Sequence, residues 1–275
     1  MIKIMINGLP GNMGQIVAET ALEKALALIP YSLTGQAITE DEFSVKNQNF
    51  KLLKPDTRQE VIEQIKKEHG NFIAIDYTHP SAVNENAEFY VRNGIPFVMG
   101  TTGGDREALM DLVEKASHSC VIAPNMAKQI VAFQALMEMW AQEFPQTFAA
   151  YDLSVVESHQ KTKADTSGTA KAVCESLLKL GPDLEHGEIQ LVRTEDAQLK
   201  MGVPQEHLKG HAFHTYGLTS PDKSVHFEFQ HNVCGRKVYA EGTIDAAIFL
   251  HQQIQKNSAN KCFSMVDVLR AGAMD

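Results

Sequence analysis

The sequence predicts an α/β protein of two domains, with a parallel sheet in its first half and an open mixed sheet in a central α+β domain. Two observations lead to this prediction. Short apolar runs alternate with longer amphipathic segments up to about residue 144, and strand-like segments dominate from about residue 151. Strands that alternate with helices are typical of βαβ units, in which helices cover both faces of a parallel sheet.

The first half contains five predicted strands and four predicted helices. The strands are IKIMIN, ALIPYSL, NFIAID, PFVMG and CVIAP, and the helices cover 13–28, 81–92, 105–117 and 126–144. A polar loop is expected between ALIPYSL and NFIAID. Each apolar run has the length of a strand, and the helical segments are long enough to serve as crossover connections.

The central segment predicts a second sheet. Its strands are YDLSVVES, GEIQLVRT, HAFHTYGLT and SVHFEFQHNV, with a helix at 168–180 and a turn at LTSPDKS. Apolar and polar residues alternate in the last strand, so one of its faces is expected to cover a core. The apolar set is Val225, Phe227 and Phe229, and the polar set is His226, Glu228 and Gln230.

The tail, EGTIDAAIFLHQQIQ and SMVDVLRAG, is predicted to be helical and to pack back on the first domain. We therefore expect one domain over 1–127 with 240–275, and a second domain over 128–239.

Composition argues against several function classes. A formal net charge of -9 argues against a general affinity for nucleic acid or for anionic membranes. The four cysteines are scattered, which favours reduced thiols over a metal site or a disulfide framework. We recognise neither a targeting segment nor a membrane-spanning run, so we expect a soluble protein of the cytoplasm or of a plastid-like stroma.

A glycine-rich turn, Gly8-Leu9-Pro10-Gly11-Asn12-Met13-Gly14, follows the first strand and opens a helix. Backbone N–H groups at a helix N-terminus suit a pyrophosphate, and glycines permit its close approach. A dinucleotide site of the Rossmann type is therefore plausible. The spacing is G-x-x-G-x-x-G, with Pro10 where the commoner motif has its second glycine, so a plain strand-to-helix turn remains the alternative.

The end of the second strand bears on cofactor choice. A Rossmann domain that binds NAD usually carries an acidic residue there, which holds the ribose 2′-hydroxyl. This chain has hydroxyls at Ser32 and Thr34 and no acid until Glu40. The pattern favours NADPH over NADH, although no arginine is nearby to bind a 2′-phosphate.

Three further strand ends contribute to the predicted cofactor crevice, because ligands of open α/β sheets bind beyond the carboxyl ends of the strands. Each follows an apolar run and offers small or hydroxylic residues. The predicted cofactor-binding residues at these ends are Asp76, Thr78, Gly100, Thr101, Thr102, Ala123, Asn125 and Met126.

The segment ESHQKTKADTSGTA, at 157–170, gathers cationic side chains in an acidic protein. If the strand persists, Glu157, His159, Lys161 and Lys163 point to one side. Ser167, Gly168 and Thr169 then open a helix, where N–H groups and hydroxyls suit a carboxylate. A lysine beside a helix N-terminus predicts a clamp for a small dicarboxylate, and His159 can supply a proton near neutral pH.

Four other histidines lie on or beside predicted strands without the spacing of metal ligands. They are His211, His214, His226 and His231. We interpret them as sheet-face or interface residues and predict no metal site.

The combination of GLPGNMG, VMGTTGG, APNM and ESHQKTKADTSGTAKA closely resembles the 4-hydroxy-tetrahydrodipicolinate (dihydrodipicolinate) reductase family of lysine and diaminopimelate synthesis. GHAFHTYGLTSP, FEFQHNVCGRKVYAEGT and MVDVLR resemble its plant and cyanobacterial branch. The resemblance implies a Rossmann domain completed by C-terminal helices, and a central domain that binds substrate and forms homo-oligomers through its sheet. It also implies NADPH or NADH as cofactor and a small dicarboxylate as substrate.

The resemblance assigns roles to individual residues. His159 and Lys163 match the catalytic proton donors, and Gly168 and Thr169 match the pair that holds a substrate carboxylate. Gly8, Gly11, Met13 and Gly14 match the cofactor loop, Gly100, Thr101 and Thr102 match the nicotinamide-ribose contact, and Ala123, Asn125 and Met126 match the later cofactor loop.

The sequence departs from the bacterial pattern HHRHKVDAPSGT at three places. Gln160 follows the histidine, Thr162 precedes the lysine, and one residue fewer separates Asp165 from Ser167. Gln160 can hydrogen-bond a carboxylate but brings no charge to it.

The implied reaction is hydride transfer to C4 of the cyclic substrate, with protonation at C3 assisted by His159 and Lys163. Two alternatives stay open. One is another Rossmann amino-acid dehydrogenase, which leaves the 157–170 segment unexplained. The other is a nucleotide-sensing protein without activity, which the intact His159 and Lys163 disfavour.

Overall fold

The computed structural model describes residues 2–256 and 261–272. The chain divides into two compact units, Met1–Lys128 with Lys237–Asp275 and Gln129–Arg236. The strands are β1 (Lys3–Asn7), β2 (Ala27–Leu28), β3 (Tyr31–Leu33), β4 (Glu42–Val45), β5 (Gln48–Leu53), β6 (Ile73–Asp76), β7 (Phe97–Met99), β8 (Cys120–Ile122), β9 (Asp152–His159), β10 (Asp183–Leu184), β11 (Gln190–Val192), β12 (His211–Thr219), β13 (His226–Cys234) and β14 (Cys262–Phe263). The α-helices are α1 (Asn12–Glu23), α2 (Arg58–His69), α3 (Val83–Arg92), α4 (Arg106–Lys115), α5 (Lys128–Glu143), α6 (Gly168–Leu178), α7 (Glu195–Lys200), α8 (Lys237–Gln255) and α9 (Met265–Arg270).

A six-stranded parallel sheet forms the centre of the first unit, in the order β14-β8-β7-β6-β1-β2. Strands β6 and β7 are buried over their whole length. Helices cover parallel strands on both faces, which is why these strands are apolar without alternation. The predicted α/β class with a parallel sheet is confirmed, and the carboxyl ends of β1, β6, β7 and β8 lie along one edge.

The tail returns to the first unit as α8, which packs against α1 and along β6, β7 and β8. A Cβ at Gly242 would lie 1.8 Å from the Met126 carbonyl oxygen, so glycine is required for this close approach. The buried Asp245 of α8 forms ion pairs with Lys24 and Lys128. Helix α8 is therefore an integral part of the first unit.

Two expectations for the first unit are wrong in detail. The segment expected to be a polar loop forms α2 and the hairpin of β4 and β5, which pairs with β3 in a separate sheet. Helix α2 escaped notice because only Ile62 and Ile65 are buried apolar residues in it. The helix expected to reach residue 28 ends at Glu23, where the chain turns through a positive φ of 54° at Ala25 into β2.

The second unit is built on a five-stranded mixed sheet. Its order is β10-β9-β12-β13, with β11 also paired to β9. Strands β9, β12 and β13 are antiparallel, and β10 and β11 run parallel to β9. A core of Leu153, Val155, Leu177 and Tyr216 joins this sheet to α6. The predicted mixed sheet is confirmed.

The alternation in β13 is present, but the predicted core-facing side is only partly buried, with Phe229 packed against the core of the second unit. Val225 and Phe227 are 39% and 43% exposed, and Phe229 is half-buried. Within the described residues β13 is an edge strand paired with β12 alone, so its apolar side receives less cover than the central strands.

Among the described helices, none combines the length and the hydropathy that a membrane span requires.

Candidate active site

The glycine-rich turn between β1 and α1 is held in a conformation that requires glycine. Gly8 has a φ of +106°, and a Cβ there would lie 2.2 Å from the Tyr77 carbonyl oxygen. A Cβ at Gly14 would lie 3.1 Å from the Gly8 carbonyl oxygen. Gly11 is the N-cap of α1, and no side chain in the described residues caps this helix. The first turn of α1, with Asn12 and Met13 on its surface, therefore presents N–H groups that suit an anion.

Ser32 and Thr34 hold this turn in place through hydrogen bonds to its backbone. The Leu9 N–H donates to the Ser32 hydroxyl (3.2 Å), and the Thr34 hydroxyl donates to the Leu9 carbonyl (2.9 Å). Both side chains are buried. Their hydroxyls therefore fix the shape of the glycine turn, and a direct contact with a cofactor stays a prediction.

Asp76 joins two neighbouring loops of the sheet edge to helix α3. Its fully buried carboxylate accepts hydrogen bonds from the N–H and hydroxyl of Thr78 (3.0 and 2.8 Å) and from the Thr101 hydroxyl (2.8 Å). It also accepts from Asn86 (3.0 Å) and from the Tyr90 hydroxyl (2.7 Å). Burial, and then the neighbouring Asp76 carboxylate, raise the pKa of Tyr90 well above its ordinary value. Because its carboxylate already accepts these hydrogen bonds, we assign Asp76 the role of holding the loops of the crevice in place.

The remaining predicted cofactor residues lie at the same sheet edge. The Gly100 N–H donates to the Asp76 carbonyl (3.1 Å), and a Cβ at Gly100 would meet the Tyr77 ring at 2.3 Å. Thr102 is exposed beside it. After β8, Ala123 donates to the Met99 carbonyl (3.3 Å), the Asn125 side chain accepts from the Ala127 N–H (2.9 Å), and Met126 is buried. The structure thus brings all four predicted strand ends to one edge of one unit.

In the second unit, β9 ends at His159 and the chain turns instead of continuing as a strand. Glu157 and His159 share one face, as predicted, but Lys161 and Lys163 do not continue that alternation. The reason is a turn in which the Lys163 N–H donates to the Gln160 carbonyl (2.9 Å). The Lys163 ammonium forms an ion pair with Asp165 (2.8 Å), whose side chain is 78% exposed.

Helix α6 begins directly after this turn, at Gly168, with Ser167 as N-cap. The Ser167 N–H donates to the Glu157 carboxylate (2.9 Å), and Thr169 lies in the first helical turn. Within the described residues nothing lies within 4 Å of a Cβ built at Gly168, so open space adjoins this helix start. An open helix N-terminus suits a carboxylate, and binding of one at the start of α6 stays a prediction.

His159 is buried at the end of β9, and its Nε2 has no hydrogen-bond partner in the described part of the chain. Burial lowers its pKa to about 4, and the positive charges of Arg193 and Lys163 act in the same direction. The Gln198 side chain donates to the His159 carbonyl (2.7 Å) and holds the backbone there. The imidazole is therefore neutral at pH 7 in the absence of a bound anion.

Two residues at this site were missed from sequence. Arg193 follows β11 and pairs with the Glu157 carboxylate (2.5 Å), and His214 of β12 lies against His159 with ring centroids 5.1 Å apart. Burial lowers the pKa of His214 to about 2. His214 and the core residue Tyr216 are two positions apart in β12, so their side chains lie on the same face, and this spacing could have predicted that His214 is buried. Nothing in the sequence indicated that Arg193 and His214 meet at β9.

Glu157, His159 and His214 each bring one side-chain nitrogen or oxygen atom within 4.8 Å of the other two. Glu157 already forms an ion pair with Arg193 and accepts the Ser167 N–H. A metal ion at this cluster would have to displace the Arg193 guanidinium from the Glu157 carboxylate, or share the carboxylate with it.

Comparison with known families covers almost the whole chain. Residues 2–126 match the N-terminal domain of dihydrodipicolinate reductase, and residues 129–269 match its C-terminal domain. The chain belongs to the dihydrodipicolinate reductase family. Membership in this family confirms the resemblance drawn from sequence, and with it the prediction of an oxidoreductase of lysine biosynthesis.

Individual relatives agree with this family. The chain is 49% identical over 272 residues to "Probable 4-hydroxy-tetrahydrodipicolinate reductase 1, chloroplastic" of Oryza sativa subsp. japonica, covering 98% of this chain and 79% of the relative. It is 47% identical over 274 residues to the chloroplastic 4-hydroxy-tetrahydrodipicolinate reductase 1 of Arabidopsis thaliana, covering 99% and 79%. A dipicolinate-bound dihydrodipicolinate reductase from Paenisporosarcina sp. TG-14 has the same fold, with a TM-score of 0.65, 20% identity and coverage of 96% and 97%.

Proposed function

We propose that this protein catalyses the NAD(P)H-dependent reduction of 4-hydroxy-tetrahydrodipicolinate, or of its dehydrated form dihydrodipicolinate, to tetrahydrodipicolinate. The observation that carries the proposal is the end of β9, where a buried neutral His159, the Lys163 turn and the open N-terminus of α6 come together. This combination suits a small cyclic dicarboxylate that is protonated after reduction.

A nicotinamide dinucleotide fits the residues of the first unit. The backbone packs too closely at Gly8 and Gly14 to admit a Cβ, which fixes a tight turn at the start of α1. No side chain in the described residues caps α1, so its first N–H groups can bind a pyrophosphate. Gly100, Thr101 and Thr102, with the segment from Ala123 to Met126, would hold the nicotinamide ribose. When bound, the cofactor supplies hydride to C4 of the substrate.

Substrate binding itself prepares His159 to donate a proton. The unliganded imidazole is neutral because it is buried beside the positive Arg193 and Lys163. A dicarboxylate brings two negative charges to the same place, which raises the pKa of His159 and favours the imidazolium. The Nε2 atom, which has no partner among the described side chains and backbone groups, is the atom we assign to proton transfer at C3.

Lys163 and α6 hold the substrate carboxylates in this proposal. The partner of Lys163, Asp165, is mostly exposed, and such ion pairs are weak in water, so a substrate carboxylate can replace it. Ser167, Gly168 and Thr169 offer the helix N-terminus to a carboxylate, and Gln160 adds an uncharged donor. Lys163 also stabilises negative charge that develops as hydride arrives.

We further propose NADPH as the preferred cofactor, because no acidic side chain follows β3 before Glu40 to repel a 2′-phosphate.

The chloroplastic relatives favour a plastid-like stroma as the compartment. Phe227 of β13 and Val225, which directly precedes this strand, are exposed apolar side chains that support a homo-oligomer formed through the central sheet.

The test is nicotinamide oxidation with NADPH or NADH, using substrate generated in situ from pyruvate and aspartate semialdehyde. We expect His159→Gln and Lys163→Ala each to reduce kcat by about 100-fold or more while cofactor binding survives. Lys161→Ala is the matched control, since Lys161 is exposed on the same turn and has no assigned role.

Three outcomes would contradict the proposal. Full activity in both variants would remove His159 and Lys163 from the mechanism. Wild-type cofactor binding without turnover would favour a nucleotide sensor, and turnover with another amino-acid precursor alone would favour a different dehydrogenase.

A further inference from the structure

Arg193 makes an unusual number of contacts with the turn that carries Lys163. Its Nε donates to the Lys163 carbonyl (2.7 Å), and Nη2 donates to the Asp165 carbonyl (3.3 Å). Nη1 donates to the Glu157 carbonyl (3.4 Å), and Nη2 also meets the Glu157 carboxylate (2.5 Å). One planar guanidinium therefore joins the end of β9 to both sides of the turn, which the compact ammonium of lysine cannot do.

The carboxylate of Glu157 is the second half of this arrangement. It is fully buried, and its Oε2 accepts the Ser167 N–H at the start of α6 (2.9 Å). The same oxygen lies 4.0 Å from His159 Nε2 and 3.8 Å from His214 Nε2. Without Arg193, this carboxylate would become an unpaired negative charge beside the histidine.

We infer that Arg193 is a positioning residue of the reductase reaction, which acts through Glu157 and the main chain of the 160–167 turn. Its fork holds Lys163 and the start of α6 beside His159. Its charge neutralises Glu157, so that the Nε2 atom of His159 stays available to the substrate instead of pairing with the carboxylate.

The charged and titratable groups around His159 come from four elements. Glu157 lies on its own strand, β9; His211 and His214 lie on β12; Lys163 and Asp165 lie on the turn; and Arg193 follows β11. His231 of β13 lies against His214, with ring centroids 4.6 Å apart. Among the described residues, Arg193 is the permanently charged group that forms an ion pair with Glu157, so its removal changes the charge beside His159 most directly.

The experiment compares Arg193→Gln, Arg193→Lys and the double variant Glu157→Gln/Arg193→Gln. The readouts are kcat, KM and the pKa of His159, measured by NMR titration of labelled imidazoles. In Arg193→Gln we expect the pKa of His159 to rise by about one unit or more and kcat to fall by about 100-fold.

The other variants separate charge from geometry. Arg193→Lys keeps the charge, so the pKa of His159 should stay near the wild-type value while kcat still falls, because the fork is lost. The double variant removes both charges, so the pKa should return towards wild type, and it also covers the case in which Arg193→Gln fails to fold. Lys179→Gln, an exposed position with the same charge change, is the control and should match wild type.

The catalytic part of this inference rests on the proposed function, whereas the NMR titration does not. An unchanged pKa of His159 in Arg193→Gln would overturn the electrostatic role. Wild-type kcat in folded Arg193→Gln and Arg193→Lys would overturn the positioning role. If the wild-type protein has no reductase activity, the proposed function fails, and the titration still decides whether Arg193 controls His159.

Discussion

Single side chains that make several hydrogen bonds decide the shape of both candidate binding regions. Asp76 does so in the first unit, where its carboxylate is the common acceptor for donors from the loop after β6, from α3 and from the loop after β7. Arg193 does so in the second, where it is the common donor to the turn after β9. Each of these residues fixes the backbone of a candidate binding region, and neither is assigned a ligand contact.

For Asp76→Ala we expect a loss of about 3 kcal/mol or more in the free energy of unfolding, since several buried donors lose their acceptor at once. The measurement is urea unfolding, with KM for NADPH determined on the fraction that remains folded. KM should rise because Thr78 and Thr101 lose their anchor.

Asp105→Ala is the comparison for this prediction. Asp105 is an exposed N-cap of α4 that accepts the Ala108 N–H, so its loss should cost only about 1 kcal/mol. Equal destabilisation by the two variants would show that the buried network contributes no more than a surface cap.

At the scale of elements, α1 and α6 both begin without a side-chain cap in the described residues, but their glycines differ. Gly8 has a positive φ and no room for a Cβ, whereas Gly168 adjoins open space. One glycine is required by the backbone, and the other leaves room for a ligand.

We expect Gly8→Ala to destabilise the first unit and to abolish tight NADPH binding, because the new Cβ meets the Tyr77 backbone. Gly168→Ala should leave stability unchanged within about 0.5 kcal/mol and raise KM for the dicarboxylate. Thermal melting and steady-state kinetics measure the two effects. A normal KM in Gly168→Ala would mean that substrate does not approach the start of α6.

At the scale of the whole molecule, buried histidines make stability depend on pH. Burial is the first cause that lowers the pKa of His159 and His231 to about 4 and that of His214 to about 2. In the unfolded chain these groups titrate near 6.5. Between these values the unfolded state binds more protons, so acid favours unfolding.

We therefore expect the free energy of unfolding to be fully retained above about pH 7 and to fall as the pH drops from about 6.5 towards 4. His214→Gln should flatten this slope by up to about 1.4 kcal/mol per pH unit, because one proton-binding group is removed from the unfolded state. Urea unfolding at a series of pH values measures the slope. His226→Gln, an exposed histidine, is the control, and an equal slope in His214→Gln and wild type would contradict the prediction.

Much of this architecture was predictable from local pattern. The parallel sheet, the glycine turn and the strand ends after β6, β7 and β8 follow from apolar runs bounded by glycine and proline, which are local properties. The 157–170 segment was predictable as a site because its residue types are unusual in an acidic chain. Helix α2 was missed because Ile62 and Ile65 give too sparse an apolar pattern. The hairpin of β4 and β5 was missed because it lies in the segment interpreted as a polar loop.

The sequence by itself thus determined the α/β class and the family, and it predicted His159 and Lys163 as the residues of proton transfer. Only the tertiary structure decided which distant residues meet them. Arg193 and His214 reach Glu157 and His159 through the pairing of β11 and β12 with β9, contacts that join residues 36 and 57 positions from Glu157 along the chain. Strand pairing of this kind depends on burial of the whole sheet, so no local pattern specifies it.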